Sequence, residues 1–356
     1  MSSELYIGVM SGTSLDGVDI ALCEISSDGI KLLNYKEYPF EKSLKDEVLY
    51  CINNDISLQR VGELDTKLGV VYARLIDKFL QISQIDAQDI KAIGLHGQTL
   101  WHSPKTKYRF SMQLGDANIV AQKTSITTVS DFRRADIAHG GEGAPFAPVF
   151  HQFLYGQDEK VAVLNIGGMA NITLLGEKLL GWDSGCGNVL LDYWMMRSKN
   201  KSYDKDGEFA KSGKVDSCLL DRFMADSYFK LVPPKSTGRE HFNQKWLEKN
   251  LKGFKGLKVE DIQRTLLELT AKSISDDIKR FGVNKIVVCG GGSQNGFLMQ
   301  RVEKLSGCEV VIEKNYDALE AMAFAYFAYK RVNNEVLKLS SVTGAKKDTL
   351  SGAIYG

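Results

Sequence analysis

A short loop of small polar residues near the start of the chain offers the first chemistry in this sequence. The stretch "GVMSGTSLDGVD", residues 8–19, combines hydroxyl side chains with glycines whose backbone freedom can turn several N–H groups into one concavity. Such a nest of donors suits the oxygens of a phosphate group. A plain hairpin turn remains the alternative, because Asp16-Gly17 is a common reversal signal. The hydroxyl and glycine residues are Ser11, Gly12, Thr13, Ser14 and Gly17.

Two further glycine-rich turns repeat this pattern along the chain. In "KVAVLNIGGMANITLL", residues 160–175, the Gly167-Gly168 pair separates two apolar, strand-like runs. In residues 283–307 a buried-type strand runs into "GGGS" and then into an amphipathic helix. Neither the dinucleotide spacing G-x-G-x-x-G nor a Walker A motif occurs, so the turns favour a mononucleotide that approaches Gly291 and Gly292.

The elements around these turns predict a globular α/β protein. Residues 4–10 and 18–25 are rich in strand formers, and 356 residues with 44% apolar content suffice for two domains or lobes. A net charge of +1 predicts no general attraction to nucleic acid or to an anionic membrane. Six scattered cysteines without a C-x-x-C pair, and a start without a leader pattern, indicate reduced thiols and a cytoplasmic protein.

In their order, the three turns resemble those of the two-lobed actin, hexokinase and Hsp70 superfamily of ATP-binding proteins. The chain resembles one family more closely, the anhydro-N-acetylmuramic acid kinases of bacterial cell-wall recycling. The resemblance is carried by "GVMSGTSLDGVD", "GLHGQTLWH", "QLGD", "DFRRADIAHGGEGAPFAP", "NIGGMANIT", "WDSGCGN", "PPKSTGREHFN", "CGGGSQN" and "DALEAMAFAY". One departure is Ser184-Gly185-Cys186-Gly187, where the family usually has Thr-Gly-Pro-Gly; it predicts a less rigid loop.

The resemblance implies an α/β, two-lobed ATPase fold with an interlobe cleft. The first lobe is expected over residues 1–133 with the C-terminal segment 336–356, and the second over residues 134–335. The implied reaction opens the 1,6-anhydro bridge of anhydro-N-acetylmuramate with water and phosphorylates O6 with ATP, which gives N-acetylmuramate 6-phosphate. Another sugar kinase of the superfamily, or an ATP-gated binding protein of the actin or Hsp70 kind, remains the alternative.

The resemblance also implies the residues that act on the sugar. Asp183 matches the family's general base, with a turn-capping aspartate as the alternative. Glu320 is expected to contact sugar or water, although a solvent-facing helical residue is the commoner interpretation. Either Arg133 or Arg134 is expected to bind the lactyl carboxylate, and the motif spacing favours Arg133. His96 and Gln98 are the remaining sugar contacts, with a structural histidine as an equal alternative for His96.

ATP and Mg²⁺ are the expected cofactors. Asp16 and Asp19 are candidates to hold the waters of Mg²⁺, while for Asp16 the Asp-Gly turn is an equal alternative. The expected partners are ATP and an amino sugar, and a homodimer is left open. The residues expected to bind the nucleotide are Gly12, Thr13, Ser14, Leu15, Asp16, Gly17, Val18, Asp19, Gly167, Gly168, Gly291 and Gly292.

Overall fold

The computed structural model describes residues 3–13, 15–156, 160–176, 179–233 and 235–356. In this described part of the chain the strands are β1 (Glu4–Ser11), β2 (Gly17–Ser26), β3 (Gly29–Pro39), β4 (Ile90–Ser103), β5 (Phe110–Leu114), β6 (Thr128–Ser130), β7 (Val161–Ile166), β8 (Met169–Leu174), β9 (Leu180–Cys186), β10 (Lys285–Cys289), β11 (Glu309–Ile312) and β12 (Ala353–Tyr355). The helices are α1 (Lys42–Asn53), α2 (Leu58–Ser83), α3 (Ala117–Thr124), α4 (Phe132–Ala138), α5 (Ala147–Tyr155), α6 (Val189–Lys199), α7 (Glu208–Ser212), α8 (Ser217–Met224), α9 (Gln244–Leu251), α10 (Val259–Lys279), α11 (Gly296–Ser306), α12 (Leu319–Val332) and α13 (Ser340–Thr343). Short 3-10 turns lie at Ala87–Asp89, Lys205–Gly207, Ser227–Lys230 and Gly291–Gln294.

The chain divides into two compact units. The first comprises Met1–Leu154 and Ala318–Gly356, and the second comprises Tyr155–Asp317. These limits differ from the expected boundaries at 133/134 and 335/336. Residues 318–335 group with the first unit because α12 packs on that unit's sheet. Residues 134–154 group with it because α5 packs on α12, where Phe153 stacks on Tyr326.

Each unit contains one mixed sheet, and the two sheets share a topology. In the first, the order is β12-β6-β4-β1-β2-β3, with β5 paired to β4; in the second, it is β11-β10-β7-β8-β9. Each has three consecutive antiparallel strands, a fourth strand parallel to the first, and a fifth strand parallel to the fourth. The β1–β2 and β7–β8 hairpins therefore occupy equivalent positions in their sheets, and the sequence had predicted both as hairpins.

Helix α12 covers one face of the first sheet at close range. A Cβ atom on Gly8 of β1 would lie 1.7 Å from the carbonyl oxygen of Ala321, and one on Gly94 of β4 would lie 1.9 Å from that of Phe324. Only glycine permits this approach, and it leaves most of α12 buried. The strands beneath are apolar along most of their length, since β1 is buried over its last six residues.

Each unit also has its own hydrophobic core. Side chains of α2, including Leu68 and Phe79, pack with Ile7 and Ile93 of the first sheet. In the second unit, Leu266 and Ile274 of α10 belong to the cluster around β7 to β10. Among the described residues, no helix combines the length and the apolar character that a membrane span requires.

Candidate functional site

The glycines of the β1–β2 loop do not serve the purpose that the sequence predicted. Its left-handed residue is Leu15, at φ 56°, whose buried side chain fixes the turn and whose N–H donates to the Gly12 carbonyl over 3.2 Å. Gly17 is required for space, because a Cβ there would lie 2.5 Å from the Tyr38 carbonyl oxygen of β3. Ser14, an expected phosphate contact, lies outside the described residues.

The polar groups of this loop lie at its surface. Thr13 and Asp16 are exposed, and Asp16, at 71%, has Lys45 Nζ 3.6 Å from its carboxylate. Asp19 is half-buried on β2 and accepts a hydrogen bond from the Tyr35 hydroxyl at 2.6 Å. Val18 is fully buried, so only its backbone can face a ligand.

Gln98 supports the loop from β4. The residue pairs in register with Ser11 of β1. Its side-chain amide is buried and donates to the Gly12 carbonyl over 3.3 Å. Its Oε1 atom is buried without a hydrogen-bond partner among the described residues. Gln98 therefore supports the loop through its amide, and the sugar contact expected for this residue stays a prediction.

The second hairpin turn, Gly167-Gly168, is bound to the start of α6. Asn188 N–H donates to the Gly167 carbonyl over 2.9 Å, and Val189 N–H donates to the Gly168 carbonyl over 3.1 Å. The turn thus satisfies backbone donors at that helix end, which have no partner within the helix.

Arg239 lies on this turn. Its Nη2 atom stands 3.3 Å from the position that a Cβ on Gly168 would occupy, and its charge opposes the burial that raises the pKa of Asp192 to about 6. The side chain is exposed. A guanidinium placed on a two-glycine turn provides planar donors for phosphate oxygens.

The third turn separates its two predicted glycines. Gly291 is exposed, and a Cβ on it would meet no atom within 4 Å. Gly292 is buried, and a Cβ there would lie 2.3 Å from Ile166 Cγ2 of β7. Gly291 alone therefore presents open backbone, and Gly292 serves close packing.

Asp183 lies inside β9, opposite Asn171 of β8. The Asn171 side-chain amide donates to Asp183 Oδ1, while Oδ2 accepts from Ser236 Oγ at 3.0 Å and from the Thr237 N–H at 2.9 Å. Three donors thus fix the orientation of this carboxylate, as the position of a general base requires. The turn-capping alternative is wrong, because Asp183 lies in a strand and caps no turn of its own.

The unusual Cys186 lies at the end of the same strand. Its side chain is buried, and Thr270 Oγ1 of α10 donates to its carbonyl over 3.2 Å. Burial raises the pKa of the Cys186 thiol to about 12, so it is a packing residue and not a nucleophile. The hydrogen bonds from Thr270 give the loop an anchor in place of the usual proline.

In the first unit, Arg133 and Arg134 diverge. Arg133 of α4 donates from Nε and Nη2 to His96 Nε2, at 3.3 and 2.8 Å, and from Nη1 to the Gly143 carbonyl at 2.7 Å. Arg134 is exposed and donates to Asp131 Oδ1 at 2.7 Å. Of the five N–H donors of Arg133, one remains on each terminal nitrogen, as a bidentate carboxylate contact requires.

His96 holds Arg133 in place. Burial and the Arg133 charge lower the pKa of His96 to about 3, so the ring is neutral and its Nε2 atom accepts the arginine's hydrogen bonds. The Phe324 ring of α12 packs against it, with centroids 4.7 Å apart. His96 therefore matches the structural alternative, and its position sets that of Arg133.

Glu320 stands at the second residue of α12. Its side chain is accessible to solvent, yet partial desolvation by the surrounding protein raises the pKa of Glu320, and the Arg133 charge opposes that rise. A carboxylate and a guanidinium of one unit thus act on each other at the surface.

Several residues of these sites were not predicted. Asn171, Ser236 and Thr237 hold Asp183, and Arg239 covers the second turn. The signal available was the polar stretch "KSTGREH", which is too polar for a core segment. The pairing of Asn171 with Asp183 depends on the register between β8 and β9, and that polar stretch gives no information about this register.

Comparison with known proteins gives relatives over the whole length. The family described as anhydro-N-acetylmuramic acid kinase matches residues 4–356. The anhydro-N-acetylmuramic acid kinase of Sulfurimonas denitrificans is 51% identical over 366 residues, covering 99% of this chain and 100% of that protein. The one of Sulfurovum sp. strain NBC37-1 is 50% identical over 358 residues, covering 100% of both. The family resemblance drawn from the motifs is confirmed.

A solved structure shows the same fold at low identity. Component A of the (R)-2-hydroxyglutaryl-CoA dehydratase of Acidaminococcus fermentans aligns with a TM-score of 0.52 at 14% identity, over 93% of this chain and 99% of that chain. At this identity the likeness concerns the fold alone. The predicted α/β fold of the actin and hexokinase kind is confirmed.

Proposed function

The chain belongs to the anhydro-N-acetylmuramic acid kinase family, and we propose that it converts anhydro-N-acetylmuramate, water and ATP into N-acetylmuramate 6-phosphate and ADP. The single observation that carries the proposal is the family match from residue 4 to residue 356. The reaction belongs to peptidoglycan recycling, and we place it in the cytoplasm, where ATP is available.

Asp183 is the base in this proposal. One of its carboxylate oxygens takes a proton from water, and the water oxygen forms a bond to the anomeric carbon of the sugar. The donors from Asn171, Ser236 and Thr237 support this role, because they fix the carboxylate's orientation.

The leaving oxygen needs no second acid. When the bond between the anomeric carbon and O6 breaks, its electron pair stays on O6, and O6 forms a bond to the γ-phosphorus of ATP while ADP leaves. A glycosidase would use a carboxylic acid to protonate that oxygen. Here the phosphoryl group takes the place of the proton, so one base suffices.

Arg133 is proposed to bind the sugar's lactyl carboxylate. Its two remaining N–H donors lie on different nitrogens, and His96 and Gly143 hold the guanidinium in one orientation. Glu320, accessible to solvent and influenced by the Arg133 charge, is proposed to accept a hydrogen bond from the sugar or from water. His96 contributes through Arg133 and not by direct contact.

The glycine-rich turns are proposed to hold ATP. The residues present fit a polyphosphate: the Arg239 guanidinium lies on the Gly167-Gly168 turn, and Thr13 and Asp16 of the first loop are exposed. Gly291 offers open backbone for the flat part of the nucleotide.

Mg²⁺ would be held through its waters by Asp16 and Asp19. The fit rests on Asp16, which is 71% exposed and pairs with Lys45 only at 3.6 Å, so its carboxylate is accessible to a hydrated cation. When bound, Mg²⁺ would neutralise phosphate charge during transfer.

Phosphate transfer from labelled ATP across a panel of sugars tests the proposal. The panel contains anhydro-N-acetylmuramate, N-acetylmuramate, glucose and acetate. The expected result is label on the anhydro sugar with ADP formed in equal amount. Transfer to glucose or acetate alone would assign the chain to another kinase type, and ATP hydrolysis without any acceptor would favour an ATP-gated binding protein.

A further inference from the structure

A buried ion pair lies next to the segment that holds Asp183. Lys235 Nζ lies 3.1 Å from Asp277 Oδ1 and 2.9 Å from Asp277 Oδ2, and both side chains are only 3% exposed. Asp277 belongs to α10. Lys235 directly precedes Ser236 and Thr237 in the chain. The pair thus joins α10 to the two residues that donate to the Asp183 carboxylate.

The same Asp277 carboxylate also binds the strand that carries Asp183. Trp182 Nε1 donates to Asp277 Oδ2 over 3.1 Å, and Trp182 precedes Asp183 on β9. The Asp277 carboxylate therefore holds Trp182, which precedes Asp183 on the strand. It also holds Lys235, which precedes the two donors to Asp183.

Backbone contacts complete the connection. The Asp183 N–H donates to the Lys235 carbonyl over 3.0 Å. Tyr228 donates its hydroxyl to the Asp183 carbonyl at 2.6 Å, and Lys235 Nζ lies 5.1 Å from the centre of the Tyr228 ring. The Lys235 backbone and the Tyr228 side chain thus both contact Asp183 directly.

A pair this deeply buried is a poor source of stability. Desolvation of two charges offsets most of their attraction, and well-packed apolar residues of similar size often stabilise a protein as much or more. The burial raises the pKa of Asp277, which the hydrogen bond and the charge of Lys235 oppose. An apolar pair would not fix the relative orientation of the two segments. Hydrogen-bonded charges do, since they set the angle and the distance of the groups they join.

We infer that Lys235 and Asp277 are positioning residues that hold the Ser236 and Thr237 donors against Asp183. This inference rests on the proposed function of Asp183 as the base. The pair touches neither sugar nor nucleotide in this scheme, and it acts by keeping the carboxylate oriented toward water.

Other titratable groups face this cluster. Among the described residues, Tyr228 lies close to both carboxylates. Burial, with the charges of Asp183 and Asp277, raises the pKa of Tyr228 well above its ordinary value, so Tyr228 stays neutral. Arg280, at the end of α10, favours the ionised form of Asp277. Lys235 is the cation that both contacts Asp277 and belongs to the segment bound by Asp183.

The test substitutes Lys235→Met in the full-length chain and measures kcat and KM for anhydro-N-acetylmuramate together with ATP binding. We expect kcat to fall about 10- to 100-fold, as for a misplaced catalytic group, with the ATP dissociation constant within about twofold of wild type. KM for the sugar is expected to change little, because the pair touches no ligand in this scheme, so the loss appears in kcat. A loss of folded protein alone would lower kcat and the number of ATP-binding sites per chain in the same proportion.

Lys272→Met is the matched control. Lys272 and Asp276 form an ion pair on the same helix, with Nζ and Oδ2 3.0 Å apart and both side chains 40% exposed. Loss of this surface ion pair is expected to leave kcat, KM and ATP binding unchanged. An equal fall in kcat in both variants would overturn the inference.

A double variant, Lys235→Met with Asp277→Leu, keeps the test decisive if the single variant folds poorly. It removes the unpaired buried carboxylate, so the melting temperature is expected to rise above that of the single variant, whereas kcat stays lowered. Recovery of kcat to the wild-type value would show that the pair only stabilises, and would refute the positioning role.

Asp183→Asn separates this inference from the proposed function. If Asp183→Asn keeps normal turnover, the proposed base is wrong and the inference loses its foundation. If Asp183→Asn is inactive while Lys235→Met keeps the wild-type kcat, the base stands and only the positioning role fails.

Discussion

Two adjacent arginines differ in role because their side chains find different partners. Arg133 is oriented by His96 and Gly143, whereas Arg134 is exposed and paired with Asp131. Adjacency in sequence predicted that only one of them can face a carboxylate, and the contacts favour Arg133. The choice therefore depended on neighbours about 10 and 40 residues away, which no local pattern specifies.

Arg133→Met is expected to raise KM for anhydro-N-acetylmuramate roughly 10- to 150-fold. The reason is the loss of a charge-assisted contact of about 1.5–3 kcal/mol with the lactyl carboxylate. Steady-state kinetics with the acid and with 1,6-anhydro-N-acetylglucosamine, which lacks the lactyl group, measures the difference.

Arg134→Met is the matched control, and it is expected to leave both sugars unaffected. An equal rise in KM for the two sugars in Arg133→Met would mean that Arg133 supports the fold and does not bind the carboxylate.

Asp183→Asn is expected to lower the single-turnover rate about 10²- to 10⁴-fold with little change in ATP affinity. The amide oxygen of asparagine can still accept from Ser236 and Thr237, and Asn171 can rotate its amide to accept from the new N–H. The fold should therefore survive, as a melting curve will check. Near-normal turnover would leave Glu320 as the next carboxylate to test.

His96, which orients Arg133, also affects stability at low pH. Its pKa is lowered to about 3 from an ordinary 6.5, so between these values the unfolded chain binds a proton that the folded chain excludes. The stabilising contribution is complete above pH 6.5 and is lost as pH falls toward 3, at about 1.4 kcal/mol per pH unit.

His96→Gln offers an acceptor for Arg133 without a titrating ring, so its free energy of unfolding is expected to fall less steeply over that range. Urea unfolding at several pH values from 6.5 to 4.5 measures both slopes. Burial also lowers the pKa of His151 to about 4, so some slope remains in the variant. Identical slopes in the two proteins would contradict the assignment.

At the scale of elements, the glycine-rich hairpins were predictable and their details were not. Alternating apolar runs and a Gly-Gly turn predicted β7 and β8. The expected left-handed glycine proved to be Leu15, because the buried leucine side chain gains more from packing than the strained φ costs. Gly17 and Gly292 are needed for neighbours that are distant in sequence. A local sequence pattern therefore does not show which distant residue will approach a given glycine.

Gly94→Ala is expected to destabilise the protein by about 1–3 kcal/mol, the usual cost of overpacking. The added Cβ would lie 1.9 Å from the Phe324 carbonyl oxygen, so α12 must shift away from the sheet. Because Glu320 stands at the start of α12, KM for the sugar should rise as well. Urea denaturation and steady-state kinetics measure the two effects.

Gly62→Ala is the control for that change. Gly62 lies inside α2, and a Cβ there meets nothing within 4 Å. Alanine is therefore expected to stabilise by about 0.5–1 kcal/mol through its helix propensity. A neutral effect at Gly94 would show that α12 does not pack on the sheet as closely as the structure has it.

At the scale of the whole molecule, the sequence predicted two units and an α/β class, and it placed the boundaries differently. The difference arises from α5 and α12. Phe153 stacks on Tyr326 with ring centroids 4.2 Å apart, and this pairs segments more than 160 positions apart in the chain. The run "EAMAFAYFAYK" is apolar around the whole helix, which indicates burial but not the partner.

The units make one further expectation testable. The second unit is the continuous segment 155–317 with its own core, whereas the first unit needs two segments, 1–154 and 318–356. Residues 155–317 expressed alone are expected to fold and to unfold cooperatively in urea. Residues 1–154 alone are expected to stay poorly folded, because removal of α12 exposes apolar strands and the rings of Phe132 and Phe146, which contact Phe327. Fusing 318–356 to 1–154 through a flexible Gly-Ser linker should restore a dispersed amide spectrum. A well-folded 1–154 without that addition would contradict the assignment of α12 to the first unit.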